Sequence, residues 1–140
     1  MQGNRHNDDF IVVGVSYKKT DTETRGLYSL CVDSQQKIIY TLQNLGGENI
    51  LVISTCNRTE VYCEGLSSES LQSTLSEISG GPLDTLREIA FVKKGLAAVK
   101  HLFSVGCGID SQIIGDFEIK GQVKKAFALA MVCNSSKAFL

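Results

Sequence analysis

The stretch NILVISTCNRTEVYCE, residues 49–64, decides the fold because it holds two strand patterns and the turn between them. Asn49–Thr55 is apolar and rich in β-branched residues, as is typical of a buried strand. Thr59–Glu64 alternates between apolar and polar residues, which indicates a strand with one polar face. Only residues 56–58 separate the two patterns, so the segment is predicted to form a β-hairpin.

Strand and helix patterns continue on both sides of this hairpin. Two further strands are predicted at Phe10–Tyr17 and Arg87–Lys93. Helices are predicted to begin near Glu23, at Asp33 or Ser34, and at Ser67 or Ser68. The order β-α-β-β-α-β predicts an α+β fold of the ferredoxin-like class, with a four-stranded antiparallel sheet and helices on one face.

The rest of the chain is predicted to form a tail and a helical extension. Residues 1–9 are a polar N-terminal tail, and residues 10–94 form the ferredoxin-like core. Residues 95–140 carry two trailing helical patterns, Gly95–Val105 and Phe117–Val132, with a glycine-containing break between them. At 140 residues the chain has the length of one domain.

Composition and charge exclude several classes of protein. A net charge of -1 excludes a strongly basic nucleic-acid clamp. No apolar run reaches the length of a signal peptide or a membrane span, so we expect a cytoplasmic protein without a membrane partner. The 5 cysteines show no framework spacing and are expected to be thiols, and the absence of a C-x-x-C pair argues against a metal site.

Cys56 is the strongest candidate for chemistry. It lies where a strand meets a turn, and Arg58 follows two residues later. A nearby guanidinium favours the reactive thiolate form of a cysteine. Free cysteines are often buried, however, so a core position for Cys56 is the alternative.

His101 is the second candidate, on the helix that follows the fourth predicted strand. It is either a general acid or base directed at the group that Cys56 attacks, or a histidine at the boundary of the surface. Gly106 and Gly108 form a G-x-G, but this pair follows a helix and lacks the third glycine of a dinucleotide-binding turn. We therefore expect no cofactor-binding residue in this chain.

Five segments together resemble the N-terminal catalytic domain of glutamyl-tRNA reductase. They are GVSYK at 14–18, STCNRTE at 54–60, HLF at 101–103, GIDS at 108–111 and GDFEIKGQVK at 115–124. They occur in the order of that family, and the resemblance covers residues 10–130. The STCNRTE segment is the most specific of the five.

The resemblance implies an NADPH-dependent oxidoreductase that acts through a cysteine thioester. Members of the family convert glutamyl-tRNA(Glu) to glutamate 1-semialdehyde and free tRNA, the first step of C5 tetrapyrrole (porphyrin) biosynthesis. The full-length family is homodimeric and binds NADPH in a later domain. Neither that domain nor the dimerisation domain is expected within these residues.

The resemblance also assigns roles to individual residues. Cys56 matches the nucleophile, and His101 matches a histidine beside the reacting carbonyl, where it would polarise the oxygen. The matches to residues that bind the substrate are Thr55, Arg58, Ser111, Asp116, Glu118 and Gln122. Arg58 is suited by its charge to a carboxylate.

The sequence departs from the family at several of these places. Tyr17 and Lys19 stand where many members have His and Thr, and Asp116 and Glu118 stand where Glu and Gln are more common. Two other functions stay open from the residues alone. One is a non-catalytic ferredoxin-like module that binds a small ligand or RNA, although its sheet would need exposed stacking aromatics and Tyr62 is the only obvious candidate on the hairpin strands. The other is a cysteine hydrolase unrelated to tRNA.

Overall fold

The computed structural model describes residues 10–107 and 117–138, and in the second range it describes the side chains of residues 121–133. The strands are β1 (Phe10–Ser16), β2 (Glu48–Ser54), β3 (Arg58–Glu64) and β4 (Phe91–Lys94). The helices are α1 (Thr22–Gly26), α2 (Val32–Asn44), α3 (Ser68–Ser79), α4 (Leu83–Ile89), α5 (Leu96–Gly106) and α6 (Phe117–Ala138).

The four strands form one antiparallel sheet in the order β2-β3-β1-β4. β2 and β3 pair directly, with Val52 opposite Val61, which confirms the predicted hairpin. β1 lies in the interior of the sheet, where Val13 is opposite Val61 on one side and Val92 on the other. The predicted α+β class and the four-stranded antiparallel sheet are confirmed.

One face of the sheet packs against α2, α3 and α4. Helix α3 illustrates why these segments are helical: Ser67 Oγ accepts a hydrogen bond from the backbone N–H of Ser70, and Gly80 ends the helix with a left-handed φ of 87°. Its apolar stripe buries Leu71 and Leu75. This first core contains, among others, Val13, Val15, Ile38, Leu42, Ile50, Val61 and Leu86.

The opposite face packs against α5 and α6. Its core contains Val12, Leu51, Ile53, Tyr62, Ala98, Val105, Val123, Ala126 and Ala130. Helices therefore lie on both faces of the sheet, α2–α4 on one and α5 and α6 on the other. Burial on both faces explains why β1 is an unbroken apolar run rather than an alternating one.

The predicted fourth strand at Arg87–Lys93 is wrong in its first half. Leu83–Ile89 is a helix, and β4 is only Phe91–Lys94. Pro82 and Asp84 favour a helix start here, Arg87 pairs with Asp84 one turn later, and Leu86 faces the core. The apolar residues of Leu83–Ile89 therefore have the spacing of a short helix.

The remaining sequence predictions of structure differ in smaller ways. Helix α2 begins at Val32, with Cys31 as its N-cap, rather than at Asp33 or Ser34. The predicted tail at 1–9 and most of the break between the trailing helices lie outside the described residues. None of the helices described combines the length and the apolar character that a membrane span requires.

Candidate functional site

The turn between β2 and β3 presents Cys56 to solvent. Hydrogen bonds fix the residues on either side of it: Thr55 N–H donates to Arg58 O at 2.8 Å, and Tyr17 N–H donates to Asn57 O at 2.9 Å. Asn57 N–H also donates to Thr55 Oγ1 at 3.1 Å. Cys56 is thus an exposed thiol on an ordered turn, and the alternative that placed it in the core is wrong.

Next to this turn lies a buried polar cluster formed by Arg58, Glu60, Tyr62 and His101. Glu60 is its centre and has no exposed surface. Its Oε2 lies 3.2 Å from Arg58 Nη1 and 2.8 Å from His101 Nε2. Its Oε1 accepts a hydrogen bond from Tyr62 Oη at 2.7 Å. Both carboxylate oxygens therefore have partners, as a buried charge requires.

The cluster fixes the orientation of His101. The residue is 9 % exposed, and the Phe91 ring lies against its imidazole with a centroid separation of 4.9 Å. The 2.8 Å contact between His101 Nε2 and Glu60 Oε2 holds the ring in this orientation. His101 is buried, so the alternative of a surface-boundary histidine is wrong.

Sequence reasoning placed Glu60 on a polar strand face and missed its role. Arg58, Glu60 and Tyr62 stand two residues apart on one strand, so the alternation itself placed them on one face. A second signal was Gly14, which is opposite Glu60 in β1. A Cβ at Gly14 would come within 2.8 Å of Glu60 Cγ, so the glycine makes room for the carboxylate side chain.

Arg58 lies inside the protein rather than at its surface. Its side chain has no exposed area, and its Cζ lies 5.9 Å from the centroid of the Tyr17 ring. The guanidinium is thus held between an aromatic ring and the internal carboxylate of Glu60. Tyr17, which departs from the family pattern, is part of this arrangement.

Gln122 is brought to the end of β2. It lines a cleft of about 160 Å³ between β2, α2 and α6, together with Val32, Gln35, Ser54, Lys125 and Leu129. Ser54 is itself fixed there, since its Oγ accepts the backbone N–H of Leu30 at 3.0 Å. Ser54, which lines the cleft, thus precedes Cys56 by two residues in the chain.

Three other predicted substrate residues are not described in full. Ser111 and Asp116 lie outside the described residues. Glu118 belongs to α6, but its side chain is outside the described part. Their predicted contacts stay predictions.

The other thiols differ in exposure and environment. Cys31 and Cys107 are exposed, whereas Cys63 and Cys133 are buried. Hydrogen bonds from the Ser34 hydroxyl and backbone lower the pKa of the Cys31 thiol below its usual value. Cys31 is therefore the main competitor of Cys56 for thiol reagents.

The described residues do not fit a dinucleotide. Every hydrogen-bonded strand pair is antiparallel, so the described residues contain no βαβ unit with adjacent parallel strands and a glycine-rich turn, and Gly106 belongs to α5. The same residues contain no group of three or more His, Cys, Asp or Glu side chains placed to hold a metal ion.

Comparison with known proteins identifies the family. Residues 13–140 match the family model described as the N-terminal domain of glutamyl-tRNAGlu reductase. The chain belongs to the glutamyl-tRNA reductase family. It is 39% identical over 136 residues to a glutamyl-tRNA reductase of Flavobacterium psychrophilum, and 42% identical over 131 residues to one of Christiangramia forsetii. The matches cover 97% and 94% of this chain.

A solved structure shows the same relationship. The fold is similar to glutamyl-tRNA reductase from Methanopyrus kandleri, with a TM-score of 0.71 and 28% sequence identity over 90% of this chain. The match covers 29% of that chain, and those to the two bacterial reductases cover 33% and 31% of their length. The chain thus spans about a third of the glutamyl-tRNA reductases it matches.

Proposed function

We propose that this chain carries out the acyl-transfer half of the glutamyl-tRNA reductase reaction, with Cys56 as the nucleophile. The observation that carries the proposal is the exposed thiol of Cys56 on a turn that hydrogen bonds hold on both sides. A nucleophile needs both access and a fixed position, and the turn provides the two together.

The proposed step is a transesterification. The thiol of Cys56 loses its proton to solvent, and the sulfur attacks the carbonyl carbon of the glutamyl ester. A carbon–sulfur bond forms, the ester carbon–oxygen bond breaks, and the terminal ribose oxygen of the tRNA leaves and takes up a proton. The products are a glutamyl thioester on Cys56 and free tRNA(Glu).

Residues on two sides of Cys56 are proposed to hold the glutamyl group. Thr55 Oγ1 accepts a hydrogen bond within the turn, so its own hydrogen can be donated to a substrate oxygen. Gln122 lines the polar cleft at the end of β2. Arg58 has no exposed side-chain area and is paired with Glu60, so it is proposed to hold Glu60 in place. Glu60 in turn orients His101, which is proposed to polarise the reacting carbonyl.

NADPH is the proposed reductant of the complete reaction, where it supplies the hydride that converts the thioester to glutamate 1-semialdehyde. Because the described residues do not fit a dinucleotide, no step within this chain is assigned to it. The complete reaction is proposed to feed tetrapyrrole biosynthesis, as the family resemblance implies.

We also assign the sheet to the ferredoxin-like class. Helices α1 and α2 connect β1 to β2, and helices α3 and α4 connect β3 to β4. This is the connectivity of a split βαβ arrangement with one additional short helix in each connection.

Acylation of Cys56 is the direct test. The 140-residue chain is incubated with glutamyl-tRNA(Glu), quenched in acid and digested, and the peptide that contains Cys56 is weighed by mass spectrometry. A glutamyl adduct on this peptide, absent in Cys56→Ser and unchanged in Cys107→Ser, is expected. If Cys56→Ser released free tRNA from glutamyl-tRNA as fast as the parent chain does, Cys56 would not be the nucleophile.

A second measurement separates acyl transfer from reduction. With NADPH present, we expect the chain to release glutamate by hydrolysis of the thioester and to form no semialdehyde. Glutamate and semialdehyde are quantified separately. NADPH-dependent formation of semialdehyde by the 140-residue chain would contradict the proposal that it carries out acyl transfer without reduction.

The buried position of Tyr62 argues against the RNA-binding alternative. Its ring has no exposed area and stacks on Phe10 with a centroid separation of 5.9 Å. A base could not stack on it from solvent.

A further inference from the structure

Arg25 is a buried guanidinium that neither the sequence motifs nor the acyl-transfer step uses. It lies in α1 and is only 9% exposed. Its Nη1 donates to Thr20 O at 2.6 Å and its Nη2 to Thr22 Oγ1 at 3.3 Å. Its Nε donates to the backbone carbonyl of Cys56 at 3.3 Å.

These acceptors are neutral, and among the described residues Arg25 makes no ion pair. A buried guanidinium is tolerated only when its donors are hydrogen-bonded, so these three acceptors fix its position. The contact with Cys56 O joins residues 31 positions apart. Within the described part of the chain it is also the one hydrogen bond made to Cys56 itself, since the other bonds of the turn are made by Thr55 and Asn57.

We propose that Arg25 is a positioning residue that holds the backbone of Cys56, and with it the sulfur, in the orientation for attack on the glutamyl ester. This inference rests on the proposed function. The planar guanidinium suits the task because one rigid group reaches three acceptors in fixed directions. It thereby joins the loop before α1 to the turn of the hairpin.

The effect should appear in the rate of acylation rather than in substrate binding. Arg25 contacts the backbone behind the nucleophile, whereas the proposed substrate contacts are made by other residues. A misplacement of about 1 Å at a reacting atom costs about a hundredfold in rate. A lysine keeps the charge but cannot reach the three acceptors together.

Single-turnover acylation of Cys56 by glutamyl-tRNA, in the full 140-residue chain, tests this role. For Arg25→Lys and Arg25→Gln we expect the maximal acylation rate to fall about tenfold to a hundredfold. The tRNA concentration at half-maximal rate should change less than about twofold. Ser67→Ala is the matched control, because it removes the N-cap of α3 and lowers stability without contacting the turn.

A substrate-free measurement complements the kinetics. Hydrogen exchange of the Thr55 amide, which donates to Arg58 O, reports how well the turn is held. We expect exchange there to accelerate at least about tenfold in Arg25→Gln, with the Val13 amide unchanged. Ser67→Ala should leave the Thr55 amide unaffected.

The outcomes are distinguishable. Acylation that requires Cys56 but is equally fast in Arg25→Lys, or Thr55 exchange that is unchanged in Arg25→Gln, would overturn the role of Arg25 and leave the proposed function intact. Transfer that does not require Cys56 would remove the proposed function, and the role of Arg25 in it.

Discussion

The turn that precedes β3 and the polar side chains of β3 itself differ sharply in their surroundings. In the turn just before the strand, Cys56 is exposed to solvent. Two to six residues later, the polar side chains of Arg58, Glu60 and Tyr62 are inside the protein with almost no exposed area. The candidate nucleophile is therefore accessible, whereas the charges near it are enclosed.

The difference teaches how the site combines reactivity with order. Exposed polar contacts contribute little to stability because water competes for them. Buried charge contacts hold their partners in one geometry, because breaking them leaves a charge uncompensated in the interior. The turn thus has a rigid base, and we expect substitution of Cys56 to change reactivity and substitution of Glu60 to change stability.

Removing the carboxylate of Glu60 should destabilise the buried cluster more than any other change considered. Glu60→Ala leaves Arg58 buried beside an empty space, and we expect a loss of about 3–5 kcal/mol in the free energy of unfolding. Urea unfolding followed by circular dichroism measures it. Glu64→Ala is the control on the same strand, since its partner Asn49 is at the surface, and should cost less than about 1 kcal/mol. Equal losses would show that Glu60 is not the centre of the cluster.

Thiol labelling sharpens the contrast in accessibility along β3. We expect iodoacetamide to modify Cys56 first among the five thiols and at least about a hundredfold faster than buried Cys63, whose exposure requires local opening worth about 3 kcal/mol or more. Peptide mapping of the folded protein at graded times measures the rates. Cys31→Ser removes the competing thiol at the N-terminus of α2. Preferential labelling of Cys107 or Cys133 would contradict the assignment.

The charge of Glu60 should make its hydrogen bond to Tyr62 stronger than a neutral one. Tyr62→Phe removes a donor to a carboxylate and should cost about 1.5–3 kcal/mol. Tyr28→Phe is the matched control, because Tyr28 is equally buried but donates to the peptide carbonyl of Pro82, and should cost about 0.5–1.5 kcal/mol. Thermal unfolding of both variants measures the difference. A smaller loss in Tyr62→Phe than in Tyr28→Phe would argue against an ionised Glu60.

The smallest effect on stability is expected at Asp21, the N-cap of α1. The backbone N–H of Thr24 donates to Asp21, which lowers the pKa of this carboxyl below its usual 3.8, with a smaller effect from the charge of Arg25. The folded-state pKa is the lower one, so the stabilisation is present above pH 3.8 and is lost as the pH falls through the folded value.

Asp21→Asn tests this pH dependence. The difference in unfolding midpoint between the variant and the parent chain should be present at pH 7 and shrink in acid. High salt should also reduce it. A difference that is the same at both pH values would show that the ionised form of Asp21 gives no additional stabilisation.

Much of the fold could be predicted because its signals are local. The hairpin follows from two β-branched runs separated by three residues, and α3 follows from a serine cap, an apolar stripe and a glycine stop. The misassigned segment at Arg87–Lys93 is a boundary error, in which a helix and a short strand are adjacent and both contain apolar residues. Propensity alone does not separate two such short elements.

The candidate site was predicted only in part, because burial depends on the whole fold. The sequence predicted Cys56 and His101 as candidates, whereas Glu60 was placed on the polar face of its strand and given no role. The helices that cover that face, α5 and α6, come more than 30 residues later in the chain. The alternation of β3 cannot reveal this cover, and Arg25 likewise becomes significant only when the fold brings it to the turn.

The interior position of β1 has a consequence for synthesis of the protein on the ribosome. β1 emerges before its partners β3 and β4, which begin at Arg58 and Phe91. At about 5–20 residues per second, the apolar strand waits for seconds without a partner. Pairing between distant segments also slows folding after release. We therefore expect the nascent chain, rather than the finished domain, to be the form most prone to aggregate and most dependent on a chaperone.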